Sequence, residues 1–561
     1  MTRRFLGSDS WWIGSVIDRV LDLQYRPVSN DDGQSSNGIE NNPCGAQAGA
    51  PMSGLDNTAR PFRLRTSLYV LGAIAITSVM FYTLDRSNVF TYSPWHHDDY
   101  RELYRDYGYW PTLQDARPVT QFVYHWLANA GPLFFYLALH ALLAADLALI
   151  FLLAINLFDP DRMSFRAARW AFLFGTAAVC SSPDLPSIVK YTGNIDHLLS
   201  LLFGIPCALF LSRSRKTGSV ALIVGSVALF VLSALSKEDT LPFLGIAALF
   251  YGIPALRSDH RWPYKAGLIA AGVVSLGIMA FLALHPAAGN AWAVMKHTFQ
   301  ADTHAYAIHR EPDELATVVR FLVWPSAYYK LVHLAFLTLV LIHVVALRKA
   351  TALKALLIGA ALLTPYALLG PNHVYGYYRF NFSPFAVYCA FIMGIELAAL
   401  LRAHRSMRPE WKSAAFGLWA AAWIATAGAL FQTGKAERQA ILAWHNNLQG
   451  ISRKVLGELT ELAPTLRKYP EVHVMGADTP INPFFWQESV VYIDREILQA
   501  PVRWVIHYRN GSELHERLQG YRWNTEDPVI TYVASEAAGP AAEVPRIEVD
   551  SSFNTRFVPG R

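Results

Sequence analysis

Two adjacent carboxylates, Asp98 and Asp99, follow the first apolar run of the chain. They stand in segment 93–100, which reads Ser-Pro-Trp-His-His-Asp-Asp-Tyr. A carboxylate at this position can accept a proton from an attacking hydroxyl group, and its neighbour can orient that hydroxyl. Because short motifs carry little information by themselves, a solvated acidic loop is the simpler interpretation of the pair taken alone.

Two histidines precede this pair and extend the set of candidate contacts. His97 is a candidate substrate contact, and His96 together with Asp98 forms a candidate metal site. Imidazole and carboxylate groups both bind metals, but adjacent residues rarely all face one ion. A metal site is therefore the less favoured alternative, and the identity of any metal stays unknown.

Cationic side chains occur in two further segments beside apolar runs. Arg117 lies in Ala-Arg-Pro-Val-Thr at 116–120, where it can pair with a phosphate or form a structural salt bridge. Lys237 and Glu238 lie in the tight turn 235–242. A buried pair of this kind facing a cavity indicates a functional site, whereas a snorkelling lysine with a local glutamate partner is structural. Both interpretations stay open, and all three residues are candidate ligands of a phosphate-bearing donor.

Polar residues also lie at the start of two later apolar runs. Segment 191–197 reads Tyr-Thr-Gly-Asn-Ile-Asp-His, and segment 371–380 reads Pro-Asn-His-Val-Tyr-Gly-Tyr-Tyr-Arg-Phe. The candidate substrate contacts in the first segment are Asn194, Asp196 and His197. The candidate ligands of a lipid phosphate in the second segment are His373, Tyr378 and Arg379. Tyrosines at this depth also anchor helices in the headgroup layer, which is the alternative for Tyr378.

Two carboxylates interrupt apolar runs away from these segments. Asp146 lies in the middle of the second run, and Glu396 lies toward the end of the tenth. A hydrogen bond between helices is the modest interpretation of each. A proton or ion pathway is the alternative, and it would favour a transporter.

The composition sets the class of protein. Of the 561 residues, 53% are hydrophobic and only 16% are charged, whereas soluble domains carry about 25% charged residues. These values exclude a disordered chain, a fibrous chain, a disulfide scaffold and an ordinary cytosolic enzyme. The net charge of +5 is spread along the chain, so no basic patch indicates nucleic acid.

The apolar runs predict an α-helical polytopic membrane protein with about eleven transmembrane helices, because a span needs about 20 apolar residues. The predicted spans are 66–84, 133–158, 168–183, 190–211, 219–235, 241–256, 266–284, 331–347, 352–369, 380–401 and 413–431. With a cytoplasmic N-terminus, every short inner loop carries at least three basic residues. An odd number of spans then puts the C-terminal part on the outer, periplasmic side.

The chain accordingly divides into three predicted parts. Residues 1–64 form a cytoplasmic tail, with an interfacial helix followed by a disordered stretch. Residues 65–431 form the transmembrane domain, whose first outer loop is 85–132. Residues 432–561 form a small extracytoplasmic α/β domain that begins with an amphipathic helix at 434–467. Its predicted strands are 472–475, 490–493, 504–508 and 529–533.

Together these motifs resemble the GT-C superfamily of integral membrane glycosyltransferases, which use polyprenyl- or dolichyl-phosphate sugars. The similarity is greatest to bacterial relatives of the protein O-mannosyltransferases, and it covers roughly residues 65–400. The matching features are Asp98-Asp99, Arg117-Pro-Val-Thr, Gly193-Asn-Ile-Asp-His, Ser-Lys237-Glu238 and Tyr-Arg-Phe-Asn-Phe-Ser-Pro at 378–384. Their order, spacing and common side of the membrane carry the resemblance. The chain departs from the family at Asn194, where the family often has arginine, and its aromatic–proline segment matches loosely.

The resemblance implies inverting transfer of a sugar from a polyprenyl-phosphate carrier to a glycan, lipid or protein acceptor. Asp98 or Asp99 acts as general base, with Asp98 the first candidate. The departing phosphate needs positive charge nearby, for which the candidates are Lys237, Arg117 and Arg379. No cofactor is certain, and a divalent cation can assist. The implied location is the inner membrane of a cell with an envelope glycan, and the implied partners are the lipid-linked donor, the acceptor and membrane lipid, with no nucleic acid.

A polytopic transporter or flippase of a lipid-linked or small-molecule substrate is the alternative. Transporters often show inverted repeats and helices broken at matched positions. The sequence shows neither, and its polar residues gather at one rim of the membrane rather than at the midplane.

Overall fold

The computed structural model describes residues 66–85, 117–130, 132–158, 165–284, 312–367, 376–403, 408–520, 530–534 and 543–560. The predicted N-terminal tail, 1–64, lies outside these residues. So do the candidate residues His96, His97, Asp98, Asp99 and His373.

Helices make up most of the described chain. In chain order up to residue 284 they are α1 (Thr66–Asp85), α2 (Pro118–Ala130), α3 (Pro132–Leu157), α4 (Phe165–Cys180), α5 (Leu185–Val189), α6 (Ile195–Thr217), α7 (Val220–Ser236), α8 (Leu241–Ala247), α9 (Ile253–Leu256) and α10 (Trp262–Leu284). The later ones are α11 (Pro312–Val323), α12 (Ala327–Leu341), α13 (Ala350–Ala367), α14 (Ser383–Ala403), α15 (Pro409–Leu466), α16 (Gln487–Tyr492) and α17 (Glu513–Gly520).

Many of these helices are long and apolar enough to cross a membrane. Within the described residues, eight stretches meet that description, and two shorter apolar helices lie at 167–180 and 220–236. The prediction of an α-helical polytopic membrane protein is therefore confirmed. The total of eleven spans stays a prediction. Part of the predicted outer loop 85–132 is helical, because it contains α2. This helix begins at Pro118, and proline is favoured at the first position of a helix.

The helices differ in what surrounds them. Leu139, Leu143 and Leu147 of α3 are fully buried, so this helix lies at the centre of the bundle. In contrast, α10 leaves Val273 and Leu276 largely exposed. Exposed apolar surface of this extent is typical of a helix that faces lipid.

The two carboxylates inside apolar runs have different environments. Glu396 on α14 forms an ion pair with Lys349, and His343 Nε2 lies 3.4 Å from its second oxygen. Glu396 thus has the modest, structural role. Asp146 on α3 is fully buried, and neither of its carboxylate oxygens has a hydrogen-bond partner in the described structure.

The C-terminal part is a small α/β domain, as predicted. Its five strands are β1 (Glu471–Met475), β2 (Arg503–Tyr508), β3 (Ile530–Ala534), β4 (Arg546–Val549) and β5 (Thr555–Val558). They form one sheet in the order β3-β2-β1-β4-β5, and only the β4–β5 pair is antiparallel. Leu459 and Leu466 of α15 are fully buried in the core of this domain. The 58-residue α15 therefore runs without a break across the predicted domain boundary at 432.

The predicted strand at 490–493 is wrong. Those residues belong to α16 and to the π-helical turn Ile493–Leu498 that follows it. A four-residue apolar run fits a strand and a buried helical turn equally well. Here the helix is favoured by Glu488 in its first turn, where a carboxylate complements the helix dipole.

Candidate functional site

Five segments of the membrane domain bring polar side chains to the same end of the bundle. Arg117 immediately precedes α2, and Asp196 and His197 lie in the first turn of α6. Lys237 begins the short link between α7 and α8. Tyr366 lies near the end of α13, and the last segment is the 3-10 turn Gly376–Asn381 that precedes α14.

Hydrogen bonds at the helix ends hold this arrangement. The hydroxyl of Thr120 on α2 donates to the carbonyl of Ser236 at 2.9 Å. The Ser233 hydroxyl on α7 donates to the carbonyl of Ser200 on α6 at 2.8 Å, and its oxygen lies 2.7 Å from the hydroxyl of Thr240. These bonds fix α2, α6, α7 and the α7–α8 link relative to one another.

Six ionisable side chains meet in this region. We call them the charged cluster: Arg117, Asp196, His197, Lys237, Glu238 and Asp239. Asp196 is its centre, because its Oδ2 accepts from Arg117 Nη1 at 2.7 Å and from Lys237 Nζ at 2.8 Å. Glu238 accepts from the other edge of Arg117, with Oε1 2.9 Å from Nη2 and Oε2 3.3 Å from Nε. The structure therefore brings together Arg117, Asp196, His197, Lys237 and Glu238, all of them predicted site residues.

The pairing within the cluster differs from both interpretations of the Lys237–Glu238 turn. Lys237 pairs with Asp196 and with His197 Nε2 at 2.7 Å, whereas Glu238 pairs with Arg117. Lys237 has an extended backbone, and Glu238 begins a 3-10 turn. The two neighbouring side chains consequently point to different partners.

The contacts of His197 indicate which of its ring nitrogens donates. Because an ammonium group can only donate, His197 Nε2 accepts from Lys237, and Nδ1 carries the ring proton. Nδ1 then donates to Asp239 Oδ2 at 2.5 Å. The same carboxylate accepts from Tyr366 at 2.5 Å, and its other oxygen accepts from Ser200 at 2.5 Å.

The side chains of the charged cluster range from half exposed to buried. The exposed fraction of the side chain is 52% for Glu238, 33% for Arg117 and 3% for Asp239. Two cations, Arg117 and Lys237, face three carboxylates in this cluster. Partial burial of Arg117 opposes its charge, but the carboxylates of Glu238 and Asp196 raise its pKa, and the net shift is upward. Arg117 and Lys237 are thus neutralised by the carboxylates around them.

Three residues on the buried side of the site were not predicted as site residues: Asp239, which belongs to the charged cluster, and Tyr366 and Asn381, which lie next to it. Asp239 follows Lys237 and Glu238 directly, so its place in the same acidic turn was a usable signal. Asn381 lies within the quoted segment 378–384, which was also a usable signal, whereas Tyr366 had none. Asn381 donates to the Tyr366 hydroxyl at 2.6 Å, and Tyr366 reaches Asp239 only because α13 packs beside the α7–α8 link.

The predicted residues Tyr378 and Arg379 point to different places. The ring of Tyr378 stacks on Tyr366 with centroids 4.4 Å apart, and it contacts the His197 ring edge-on at 5.3 Å. Arg379 points away from the charged cluster and forms an ion pair with Asp184. Its guanidinium lies over the ring of Phe321, 4.4 Å from the centroid. Tyr378 therefore lines the candidate site. Arg379 instead links the 3-10 turn before α14 to the start of α5 and to α11.

We expect the Arg379→Gln variant to lower the stability of the protein by about 3–5 kcal/mol, the usual cost of removing one partner of a buried ion pair. Asp184 would keep the hydroxyl of Tyr329, at 2.6 Å, but lose its cation. Thermal unfolding of the purified chain measures the change. The control is Arg320→Gln, which removes an exposed arginine of α11. Unchanged stability with a tenfold or greater loss of turnover would instead assign Arg379 to substrate binding.

Asn194 also lies beside the cluster rather than in it. Its side-chain amide donates to the carbonyls of Ser187 and Ile188 at 3.0 and 3.3 Å. These bonds tie the turn before α6 to the short helix α5. We therefore assign Asn194 a structural contact.

No group of three or more histidine, cysteine, aspartate or glutamate side chains within the described ranges is arranged to hold a metal ion. The predicted metal candidates His96 and Asp98 lie outside those ranges. Metal dependence stays a prediction about that segment.

Comparisons with known proteins give a likeness in fold. No family model matches the chain, and no curated protein matches it in sequence. Among solved structures, the chain is similar to ArnT from Cupriavidus metallidurans bound to undecaprenyl phosphate, with 14% identity and a TM-score of 0.48. It is also similar to the apo form of that protein, with 14% identity and a TM-score of 0.44. Each match covers 87% of this chain and 94% of the other.

Proposed function

We propose that this chain is a membrane glycosyltransferase that transfers a sugar from a polyprenyl-phosphate carrier to a hydroxyl acceptor at the outer face of the membrane, with inversion at the anomeric carbon. The observation that carries the proposal is the charged cluster at one end of the bundle. There, Arg117 and Lys237 converge on Asp196 at 2.7 and 2.8 Å. The candidate bases Asp98 and Asp99 precede Arg117 by fewer than twenty residues.

The departure of the phosphate leaving group requires a nearby cation rather than a general acid. The acceptor oxygen attacks the anomeric carbon and forms the new glycosidic bond, while the bond from that carbon to the phosphate oxygen breaks. The proton of the hydroxyl goes to the general base, Asp98 or Asp99. The bonding electrons leave with the phosphate, which is already an anion and needs compensating positive charge rather than a proton.

Lys237 and Arg117 are placed to supply that positive charge. The Lys237 ammonium has three N–H donors, and two of them are directed to Asp196 and His197. Its third donor is not engaged within the described part of the chain. Arg117 presents a planar fork that matches two oxygens of a phosphate. A divalent cation near the same carboxylates would add to this charge, and we keep it as part of the proposal.

The donor sugar is proposed to be a hexose such as mannose, and the acceptor a glycan, lipid or protein. The test uses the full chain in lipid vesicles with synthetic polyprenyl-phosphate hexoses and with glycan, lipid or peptide acceptors that carry free hydroxyl groups, and it measures released polyprenyl phosphate. In cells, removing the protein should make a lipid-linked monosaccharide accumulate. Absence of both results would overturn the proposal.

Asp146 favours one alternative, a transporter or flippase. It is a fully buried carboxylate without a hydrogen-bond partner among the described residues, and such groups often carry protons or ions across membranes. The same vesicles distinguish the two functions. A flippase would move the lipid-linked sugar between leaflets without releasing polyprenyl phosphate, whereas a transferase would release it only when an acceptor is present.

We expect the site to face the outside of the cell. Reporter fusions ending at Arg162 and Arg257 should report the cytoplasm, because basic residues dominate those loops. A fusion ending at Gly434 should report the outer side. A cytoplasmic signal at Gly434 would contradict both the odd number of spans and the outer-face site.

A further inference from the structure

The side chain of Glu238 can leave its ion pair more easily than the other carboxylates of the charged cluster can. Its side chain is 52% exposed, whereas those of Asp196 and Asp239 are 7% and 3% exposed. A carboxylate with that exposure can be rehydrated at little cost, since exposed ion pairs contribute little to stability.

The buried carboxylates are held more firmly. Asp196 accepts from both cations of the cluster and from the backbone N–H of His197 at 2.7 Å. Asp239 accepts from His197, Tyr366 and Ser200. Removing either would leave buried donors without an acceptor, which is costly. Glu238 is therefore the member of the cluster that an incoming anion displaces first.

The place that Glu238 occupies has the geometry of a phosphate site. Its two oxygens accept hydrogen bonds from Nε and Nη2 along one edge of Arg117, while Nη1 of the same guanidinium donates to Asp196. This edge offers two parallel N–H donors, and carboxylates and phosphates bind such an edge in the same bidentate way. When Glu238 moves into water, the edge becomes available to two oxygens of one phosphate group without any change at Asp196.

We infer that Glu238 is a placeholder that occupies the phosphate-binding edge of Arg117 until the phosphate of the lipid carrier displaces it. The inference rests on the proposed function, and it assigns Glu238 a part in setting the affinity for the carrier. The ligand chemistry is a phosphate group, which either a lipid carrier or free phosphate can provide.

A placeholder competes with the ligand that replaces it. Glu238→Gln removes the competing charge and the repulsion between Glu238 and the phosphate, so the variant should bind the carrier more tightly than wild type. From the usual strength of exposed ion pairs, we expect roughly a two- to fivefold lower Kd. If Glu238 were instead a direct ligand or a structural partner of Arg117, the variant would bind the carrier equally or less tightly.

The experiment measures the Kd for polyprenyl phosphate with the full chain in discs of neutral lipid. It compares wild type, Glu238→Gln, Arg117→Gln and the double variant, with Glu238→Ala as a second variant should the first fold poorly. Glu238→Gln should bind more tightly, and the gain should disappear in the Arg117→Gln background because Glu238 acts through Arg117. Glu410→Gln is the charge-matched control, since Glu410 is exposed in the first turn of α15, and it should bind as wild type does.

Each outcome decides the inference. Equal or weaker carrier binding by Glu238→Gln, with normal binding by wild type, overturns the placeholder role and leaves the proposed function standing. The same gain in Glu410→Gln also overturns it, because net charge would then be the cause. Inorganic phosphate is the second probe, and an equal gain with it supports the placeholder while assigning the site to free phosphate. No binding of polyprenyl phosphate to wild type overturns the proposed function and the inference together.

Discussion

Replacing Asp98 with asparagine is expected to lower the rate of sugar transfer by about 10²–10⁴-fold, the usual contribution of a general base. Asparagine keeps the size of the side chain and removes only its charge and its ability to accept the proton. Asp99→Asn is the partner variant, and we expect at least one of the two to show the full loss. Asp98 is the first candidate because the first acid of this loop motif is the usual base in the GT-C superfamily that the sequence resembles.

The measurement is turnover per folded molecule, with purified protein and a matched lipid-linked donor. Asp115→Asn is a suitable control, because it removes another carboxylate of the predicted outer loop 85–132. Its turnover should stay near that of wild type. Wild-type turnover in both Asp98→Asn and Asp99→Asn would reject this pair as the site of the base.

The membrane helices could be predicted from the sequence because their signal is local. A run of about 20 apolar residues is sufficient to propose a span, and each run proposed here overlaps a helix of the structure. Strands in the C-terminal domain are shorter and their pairing is not local. β1, β2 and β3 lie where strands were predicted, whereas 490–493 is helical and β4 and β5 were not predicted. β4 and β5 have only four residues each, too few for a pattern to stand out.

The sequence was sufficient to predict which segments form the site, but not which side chains contact one another. The polar ends of α6 and of the α7–α8 link were identified because charged residues interrupted apolar runs there. Which cation meets which carboxylate depends on helix packing and on the backbone of a short link, and neither can be read from spacing. For the same reason Tyr366 was missed, since it becomes part of the site only when α13 packs against the link that carries Asp239.

Because Lys237 pairs with Asp196 rather than with Glu238, the expected effect of replacing Lys237 changes. Had Glu238 been its partner, removing the lysine would have left an unpaired carboxylate. In the structure Glu238 keeps Arg117, and Asp196 loses one of its two cations but keeps the other. We therefore expect Lys237→Met to fold and to reach nearly normal abundance.

The effect of Lys237→Met should instead appear in turnover. If the ammonium neutralises the carrier phosphate, its loss removes a charge-assisted contact worth about 1.5–3 kcal/mol. At about 1.4 kcal/mol per factor of ten, turnover should fall roughly ten- to two-hundred-fold. Lys237→Arg keeps the charge and should recover part of the activity. Lys216→Met, in the last turn of α6 at the opposite end of that helix from Asp196, is the control and should behave as wild type.

A structural role for Lys237 predicts the reverse pattern. His197 would lose the donor at its Nε2, the inner side of the cluster would rearrange, and abundance would fall while each surviving molecule kept normal turnover. Measuring both quantities on the same preparation separates the two roles. Normal turnover at reduced abundance would make Lys237 part of the scaffold, and the charge that stabilises the departing phosphate would then have to come from Arg117, whose outer edge Glu238 occupies in this structure.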